Sequence, residues 1–238
     1  MIVDVVLNPA EIALLPQRDL SASTCVVFDV LRATSSMITG LAHGAAKIYP
    51  VTTIEEAMAL KQHLPDAVLG GERHGELIDG FEIGNSPLEY LSLRGRTIIT
   101  TTTNGTVALS ACEKAERVLV GAILNIAAVA AELLRTQPAQ VVLVCAGTFA
   151  EFALEDAIAA GLLITTLGDC DLTDSAYAAH AVAQRYPEPL DALRIARNGR
   201  VLMAKGRKEE VEWCAQQSRF NVVGFMEQGV IRPLPQIA

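Results

Sequence analysis

The chain has 238 residues, of which 51% are hydrophobic and only 5% are aromatic. Its 19 basic and 27 acidic residues give a net charge of −8, which argues against general binding to nucleic acid or to an anionic membrane surface. The aliphatic composition favours sheets covered by helices over an aromatic-rich β-sandwich.

The cysteines and the N-terminus indicate the cellular compartment of the protein. The five cysteines are widely spaced and odd in number, without the close spacings that are typical of zinc sites. The N-terminus lacks the basic and apolar segments of a signal peptide, and no uncharged apolar stretch reaches the roughly 18–20 residues of a membrane span. We therefore expect reduced thiols in a cytoplasmic protein that does not enter a membrane.

Short apolar strands alternate with helices along the chain. Strands are predicted at 1–7, 25–30, 47–51, 67–69, 97–101, 117–120, 140–144, 222–223 and 230–231. Helices are predicted at 10–15, 34–42, 54–63, 107–112, 126–134, 154–167, 174–185, 190–205 and 208–216. This alternation predicts the α/β class, with a three-layer α/β/α-type sheet. Residues 1–238 are expected to form a single domain, and any division into two lobes is expected near 105–140.

Residues 26–36 connect a buried strand to a helix. Asp29 and Arg32 follow the apolar strand at the point where it ends, and a run of three hydroxyl residues that begins with Thr34 predicts the N-cap of the helix. The carboxyl end of a strand next to the amino end of a helix favours the binding of anions. An Asp–Arg salt bridge that holds the turn is the alternative interpretation.

Two later strands end in a similar way, because small and hydroxyl residues open a helix after each of them. These residues are Thr103, Asn104, Gly105 and Thr106 after one strand, and Gly147 and Thr148 after the other. Glycine lets backbone N–H groups approach a ligand closely, and Thr and Asn add further donors. Ordinary turns explain any one of these ends. Three of them at one edge of a parallel sheet predict an anion-binding pocket.

Residues 70–90 mix glycines and charges with apolar residues and show little periodicity, which predicts an ordered functional loop. His74 lies in this loop, although a lone histidine in a loop more often has no catalytic role. Cys145 ends a strand and is a candidate nucleophile, but a buried structural thiol is the simpler interpretation.

Acidic residues among anion donors suggest a metal ion. Mg²⁺ prefers oxygen ligands, usually one or two carboxylates together with water and substrate phosphate. The candidate ligands lie near strand ends or helix starts, and they are Asp29, Glu72, Glu155 and Asp156. The last two are explained equally well as first-turn charges that the helix dipole favours.

Five motifs, taken in order, resemble those of the 2-phosphosulfolactate phosphatase family. They lie at 29–34 (DVLRAT), 70–73 (GGER), 84–87 (GNSP), 103–106 (TNGT), and 146–148 (AGT) with 155–156. The resemblance implies an α/β fold and Mg²⁺-dependent hydrolysis of (R)-2-phospho-3-sulfolactate to 3-sulfolactate and phosphate. In archaea this reaction belongs to coenzyme M biosynthesis. The chain departs from the family pattern at Asn198, where a histidine is common, and at Glu209-Glu210, where an aspartate is common.

The resemblance also implies roles for individual residues. The catalytic group would be Asp29, Arg32, Glu72 and Arg73, and the substrate-binding group would be Thr34, Asn85 and Ser86 together with the six residues of the two later strand ends. Both arginines offer paired donors to the oxyanions of a small phospho-acid. Either a metal-activated water or the carboxylate of Asp29 would be the nucleophile. The alternative functions are a phosphatase for another small phosphorylated acid and a non-catalytic anion-binding domain. We expect a homodimer.

Overall fold

The computed structural model describes residues 1–234, in which eleven strands form one sheet. The strands are β1 (Ile2–Val6), β2 (Ser23–Phe28), β3 (Lys47–Pro50), β4 (Val68–Arg73), β5 (Glu76–Leu77), β6 (Thr97–Thr101), β7 (Arg117–Gly121), β8 (Gln140–Cys145), β9 (Asp171–Leu172), β10 (Gly224–Glu227) and β11 (Val230–Pro233). The helices are α1 (Pro9–Ile12), α2 (Ala33–Ala42), α3 (Ile54–His63), α4 (Gly105–Ala111), α5 (Ile126–Thr136), α6 (Leu154–Leu167), α7 (Asp174–Arg185), α8 (Pro189–Ile195), α9 (Arg197–Ala204) and α10 (Lys208–Cys214).

The strand order is β5-β4-β6-β3-β11-β10-β7-β2-β8-β1-β9. Strands β4, β6 and β3 are parallel to one another, and so are β7, β2, β8, β1 and β9. The C-terminal hairpin of β10 and β11 lies between these two blocks and runs antiparallel to β7 and β3. Strands from the whole length of the chain therefore join a single sheet.

Helices cover both faces of the sheet, as the composition predicts. In β2, Val26 and Phe28 pack into a core that includes α5, α6 and α7. The alternate residues, Cys25 and Val27, pack on the other face with α2 and α4. Every residue of β2 is buried, because a central strand of a parallel sheet has helices on both sides. The α/β class and its three layers are confirmed.

Several helix boundaries confirm the sequence analysis. Both α6 and α7 match their predicted ranges, and α3 begins with a capping box formed by Thr53 and Glu56. The predicted helix 190–205 is in fact two helices, α8 and α9, that meet at Ala196. Gly199 allows this close meeting, because a Cβ there would lie 1.7 Å from the carbonyl oxygen of Leu193.

The strand predicted at 222–223 lies outside β10, and two predicted boundaries near the site are wrong. The N-cap of α2 is Arg32 and not Thr34, because the Thr34 hydroxyl already bonds the backbone of Asp29. Strand β4 does not end at the glycine pair but continues to Arg73, because Gly70 and Gly71 pair with β6. None of the helices between residues 1 and 234 has the length and hydropathy that crossing a membrane requires.

Candidate active site

A cavity of about 170 Å³ lies between the carboxyl ends of four strands and one side of α9. The strands are β2, β4, β6 and β8, which belong to the two parallel blocks. Predicted site residues that line the cavity are Asp29, Arg32, Glu72, Asn85, Thr103, Asn104, Gly147 and Thr148. The two blocks run in opposite directions, so these strand ends come together in the cavity but do not lie at one edge of a parallel sheet, which was the prediction. Within each block, the carboxyl ends of parallel strands are where ligands bind in α/β sheets.

Asp29 occupies the end of β2 and contacts the first turn of α2. Its Oδ1 accepts a hydrogen bond from the Ala33 N–H at 3.1 Å, so this carboxylate satisfies a backbone donor at the start of α2. A Cβ at Gly105 would lie 2.6 Å from Oδ2 of Asp29. Gly105 therefore leaves room for this carboxylate and does not itself line the cavity.

Several carboxyl groups share this small volume. Burial, the largest cause, raises the pKa of Asp29 to about 7, and the charges of Glu72 and Glu155 add to the rise. Burial also raises the pKa of Glu155. It raises the pKa of Asp156 well above the usual range, and the negative charges of Glu155 and Asp29 add to this second rise. Burial and mutual repulsion therefore disfavour the ionised forms of these carboxyl groups.

Asp156 and Glu72 hold the backbone at the edge of the sheet. Asp156 accepts hydrogen bonds from Val30 N–H at 2.8 Å and Gly147 N–H at 3.0 Å, which connects the ends of β2 and β8. Glu72 accepts from Thr103 N–H at 2.7 Å and Gly75 N–H at 2.6 Å. The N–H groups of Gly147 and Thr103 were expected to bind substrate. These carboxylates engage them instead, because a buried N–H needs a partner.

Arg32 is 5% exposed and makes two contacts across the site. Its Nη1 lies 2.5 Å from Oε2 of Glu210 in α10, and its Nη2 donates to the Gly75 carbonyl at 3.3 Å. The alternative that Arg32 pairs with Asp29 to hold the turn does not match these contacts. Glu210, at the position where the sequence departs from the family pattern, is the ion-pair partner instead.

The side chain of Asn104 is engaged within the protein. It donates to the carbonyls of Ala146 and Phe149 at 3.0 Å each, and it accepts from the Phe149 N–H at 3.0 Å. Asn104 therefore holds the loop after β8 in place. Next to it, the hydroxyl of Thr103 is buried without a partner among the described residues, which makes it a donor that a ligand would satisfy.

The structure leaves some predicted residues outside the cavity lining. They are Thr34, Arg73, Ser86, Gly105, Thr106, Glu155 and Asp156. Arg73 donates to Thr101 Oγ1 at 2.8 Å and to the Thr52 carbonyl at 3.2 Å, so its guanidinium supports β4 and β6. Thr106 bonds Thr102 in a similar local role.

One side of α9 forms a wall of the cavity that the sequence analysis did not assign. The residues on it are Arg197, Asn198, Val201, Leu202 and Lys205, whose spacing places them on one helix face. Asn198 donates to Thr148 Oγ1 and to Glu155 Oε1, each at 2.7 Å. The spacing was a visible signal, but only the contacts show that this face meets the strand ends.

An aromatic stack forms part of the cavity lining. The rings of His74 and Phe149 lie 5.7 Å apart at an interplanar angle of 29°, and the Arg197 guanidinium lies 5.6 Å from the centre of the Phe149 ring. These three residues come from the turn between β4 and β5, the loop after β8, and α9. His74 thus lines the site.

Cys145 lies at the end of β8, fully buried and outside the cavity lining. Burial, helped by the nearby charge of Asp156, raises the pKa of its thiol well above the usual range, which disfavours the nucleophilic thiolate. We therefore expect Cys145→Ala to keep kcat within about twofold of the original protein. Steady-state kinetics on a variant with native circular dichroism checks this, and a folded variant without turnover would identify Cys145 as the nucleophile.

A family model described as 2-phosphosulpholactate phosphatase matches residues 11–229. The chain belongs to the 2-phosphosulfolactate phosphatase family. A protein of Carboxydothermus hydrogenoformans named probable 2-phosphosulfolactate phosphatase is 40% identical over 96% of this chain and 95% of its own length. A protein of Clostridium acetobutylicum with the same name is 36% identical over 97% of this chain and 100% of its own length. The resemblance seen in the motifs is thus confirmed, and the matched region includes both the strand ends and α9.

Proposed function

We propose that this chain is a phosphoric monoester hydrolase that converts (R)-2-phospho-3-sulfolactate to 3-sulfolactate and phosphate. Family membership and the names of the full-length relatives support this reaction. The observation that carries it structurally is the cavity at the strand ends, which Asp29, Arg32 and Thr103 line. Hydrolysis of a phosphate ester depends mainly on positioning and charge neutralisation, which these groups supply.

The residues of the site fit Mg²⁺. Residues 1–234 contain no cluster of three or more His, Cys, Asp or Glu side chains arranged to hold a metal, but Mg²⁺ needs only one or two carboxylates with water and substrate oxygens. Asp29 offers the oxygen that does not bond Ala33, and burial raises the pKa of Asp29 and Glu155, so a bound cation would stabilise their ionised forms. Asp29 would hold the ion, with Glu72, which also lines the cavity, beside it. The bound ion would neutralise charge on the phosphoryl oxygens.

In this proposal, the protein's own side chains bind and orient the substrate, in addition to the metal ion. The guanidinium of Arg32 bonds Glu210 and the Gly75 carbonyl and lines the cavity from a buried position, where a charge-assisted hydrogen bond to a substrate oxyanion would be strong. The hydroxyl of Thr103 donates to a second oxygen. Asp156 acts indirectly, because it holds the ends of β2 and β8 together.

Three further properties stay predictions from the composition. These are the cytoplasmic location, the absence of nucleic-acid binding and the homodimer. A role in coenzyme M biosynthesis is likewise a proposal that follows from the substrate.

Release of phosphate from (R)-2-phospho-3-sulfolactate tests both the reaction and the metal. We expect turnover with Mg²⁺, loss of turnover in excess EDTA, and recovery when Mg²⁺ is added back, because buried carboxylates repel an anionic substrate unless a cation lies between them. Full activity in excess EDTA would contradict the role of Mg²⁺. The absence of phosphate release by folded protein with Mg²⁺ would contradict the proposed reaction.

A further inference from the structure

We infer that Lys205, at one end of the cavity-facing side of α9, recognises the sulfonate group of the substrate. This inference rests on the proposed function and assigns one chemical group of that substrate to one residue. It starts from the charges on this helix face, which carries a cation at each end, Arg197 and Lys205, with Val201 and Leu202 between them. Along the helix axis, the Cα atoms of these two residues are separated by about 12 Å, because each of the eight steps between them adds a rise of about 1.5 Å.

The surroundings of the two cations differ. Lys205 Nζ pairs with Glu76, and it lies near Gly75, whose carbonyl accepts hydrogen bonds from Arg32 Nη2 at 3.3 Å and from Arg207 Nη1 at 3.1 Å. Three cationic side chains thus gather around this turn. At the other end, Arg197 pairs with Glu151 at 2.6 Å and lies over an aromatic ring. Glu72, Glu76 and Glu210 balance these cations, so the end near Lys205 differs from the other end in that Lys205 and Arg32 lie beside the same turn.

The ion pair between Lys205 and Glu76 is weak. The side chains of Lys205 and Glu76 are 37% and 58% exposed, and ion pairs this exposed contribute little to stability because water screens them. A sulfonate that enters the cavity can therefore replace Glu76 at little cost. The ion pair between Arg32 and Glu210, by contrast, is buried and stays in place.

The substrate's chemistry identifies the sulfonate as the group that reaches Lys205. The phosphate ester is attached to C2, and the carboxylate carbon is C1, which is bonded directly to C2. The sulfonate sulfur is bonded to C3 and therefore lies one bond further from C2 than the carboxylate carbon does. If the phosphoryl group lies near Arg32, Lys205 is a neighbouring cation of the cavity lining, because both side chains lie beside Gly75, and the sulfonate has a longer reach from C2 than the carboxylate. A compound without it lacks the charge that Lys205 would bind.

Calorimetric binding of two product-like acids, in the presence of Mg²⁺, tests this assignment without requiring turnover. The acids are 3-sulfolactate and lactate, which differ only in the sulfonate. We expect Lys205→Gln to raise the Kd of 3-sulfolactate about tenfold and to leave that of lactate within about twofold. Glu76→Gln should lower the Kd of 3-sulfolactate, because it removes the competing anion.

Arg207→Gln is the matched control, since Arg207 also pairs with Glu76 but does not line the cavity. It should leave both Kd values within about twofold. Equal changes for both acids in Lys205→Gln, no change for either, or equal affinity of the original protein for the two acids would each overturn the assignment. Failure of phosphate release, with the binding difference intact, would instead contradict the proposed reaction alone.

Discussion

Asp29→Asn is expected to lower kcat at least ~10²-fold, which corresponds to about 3 kcal/mol of transition-state stabilisation, while the protein stays folded. Asparagine keeps the shape of the side chain but removes the charge that would hold a cation or attack phosphorus. The melting temperature should be equal or higher, because the pKa of about 7 shows that burying this charge is unfavourable. Steady-state kinetics and thermal unfolding on the same preparation measure both effects.

Asp4→Asn provides the control for Asp29→Asn. Asp4 lies in β1 and accepts hydrogen bonds from Arg18 at 2.8 Å and Thr173 at 3.0 Å, outside the cavity lining. Its replacement should reduce stability and leave kcat unchanged. If Asp29→Asn retains the kcat of the original protein with an unchanged melting temperature, Asp29 serves only to hold the first turn of α2.

Arg32→Lys is expected to lower kcat/KM by ~10–10³-fold, or roughly 1.4–4 kcal/mol. Lysine keeps the positive charge but loses the planar set of donors that bonds Glu210 and a substrate oxyanion at the same time. If Arg32 binds the phosphoryl group in the transition state, kcat falls. If it binds the carboxylate or sulfonate equally in the ground and transition states, KM rises and kcat does not change.

The matched control for Arg32→Lys is Arg117→Lys. Arg117 forms a partly buried ion pair with Glu132 at 2.6 Å, away from the cavity lining, so its replacement measures the cost of losing a guanidinium in a structural pair. We expect lower stability and normal kinetics for Arg117→Lys. If the Arg32→Lys variant keeps the kcat and KM of the original protein, Arg32 does not bind the substrate.

Local sequence patterns predicted the strand ends of the site but not the partners of their polar groups. The apolar run of β2 followed by Asp29 and Arg32 placed both residues near the cavity. Which groups they contact depends on distant segments, because 178 positions separate Arg32 from Glu210 along the chain. Backbone donors at the strand ends were assigned to substrate, since nothing local shows that Glu72 and Asp156 accept from them.

The fold shows the same division between local and distant information. An acidic first turn indicated the start of α6 and an amphipathic pattern indicated α7, while β9 was missed because two residues cannot show alternation. The strand predicted at 230–231 lies in β11, but the one predicted at 222–223 lies outside β10, and the place of this hairpin between β7 and β3 follows from sheet pairing alone. The wall formed by α9 was missed for a similar reason, because an amphipathic pattern does not identify what each helix face contacts.

The most direct test of the proposed reaction compares several substrates with the original protein in one phosphate-release assay. The substrates are (R)-2-phospho-3-sulfolactate, 2-phospholactate, 2-phosphoglycerate and phosphoenolpyruvate, all at saturating Mg²⁺. We predict the highest kcat/KM for (R)-2-phospho-3-sulfolactate, because the cavity combines Arg32 with a second cationic region at Lys205. A higher kcat/KM for any of the other three acids, or no phosphate release from all four, would contradict the proposed function.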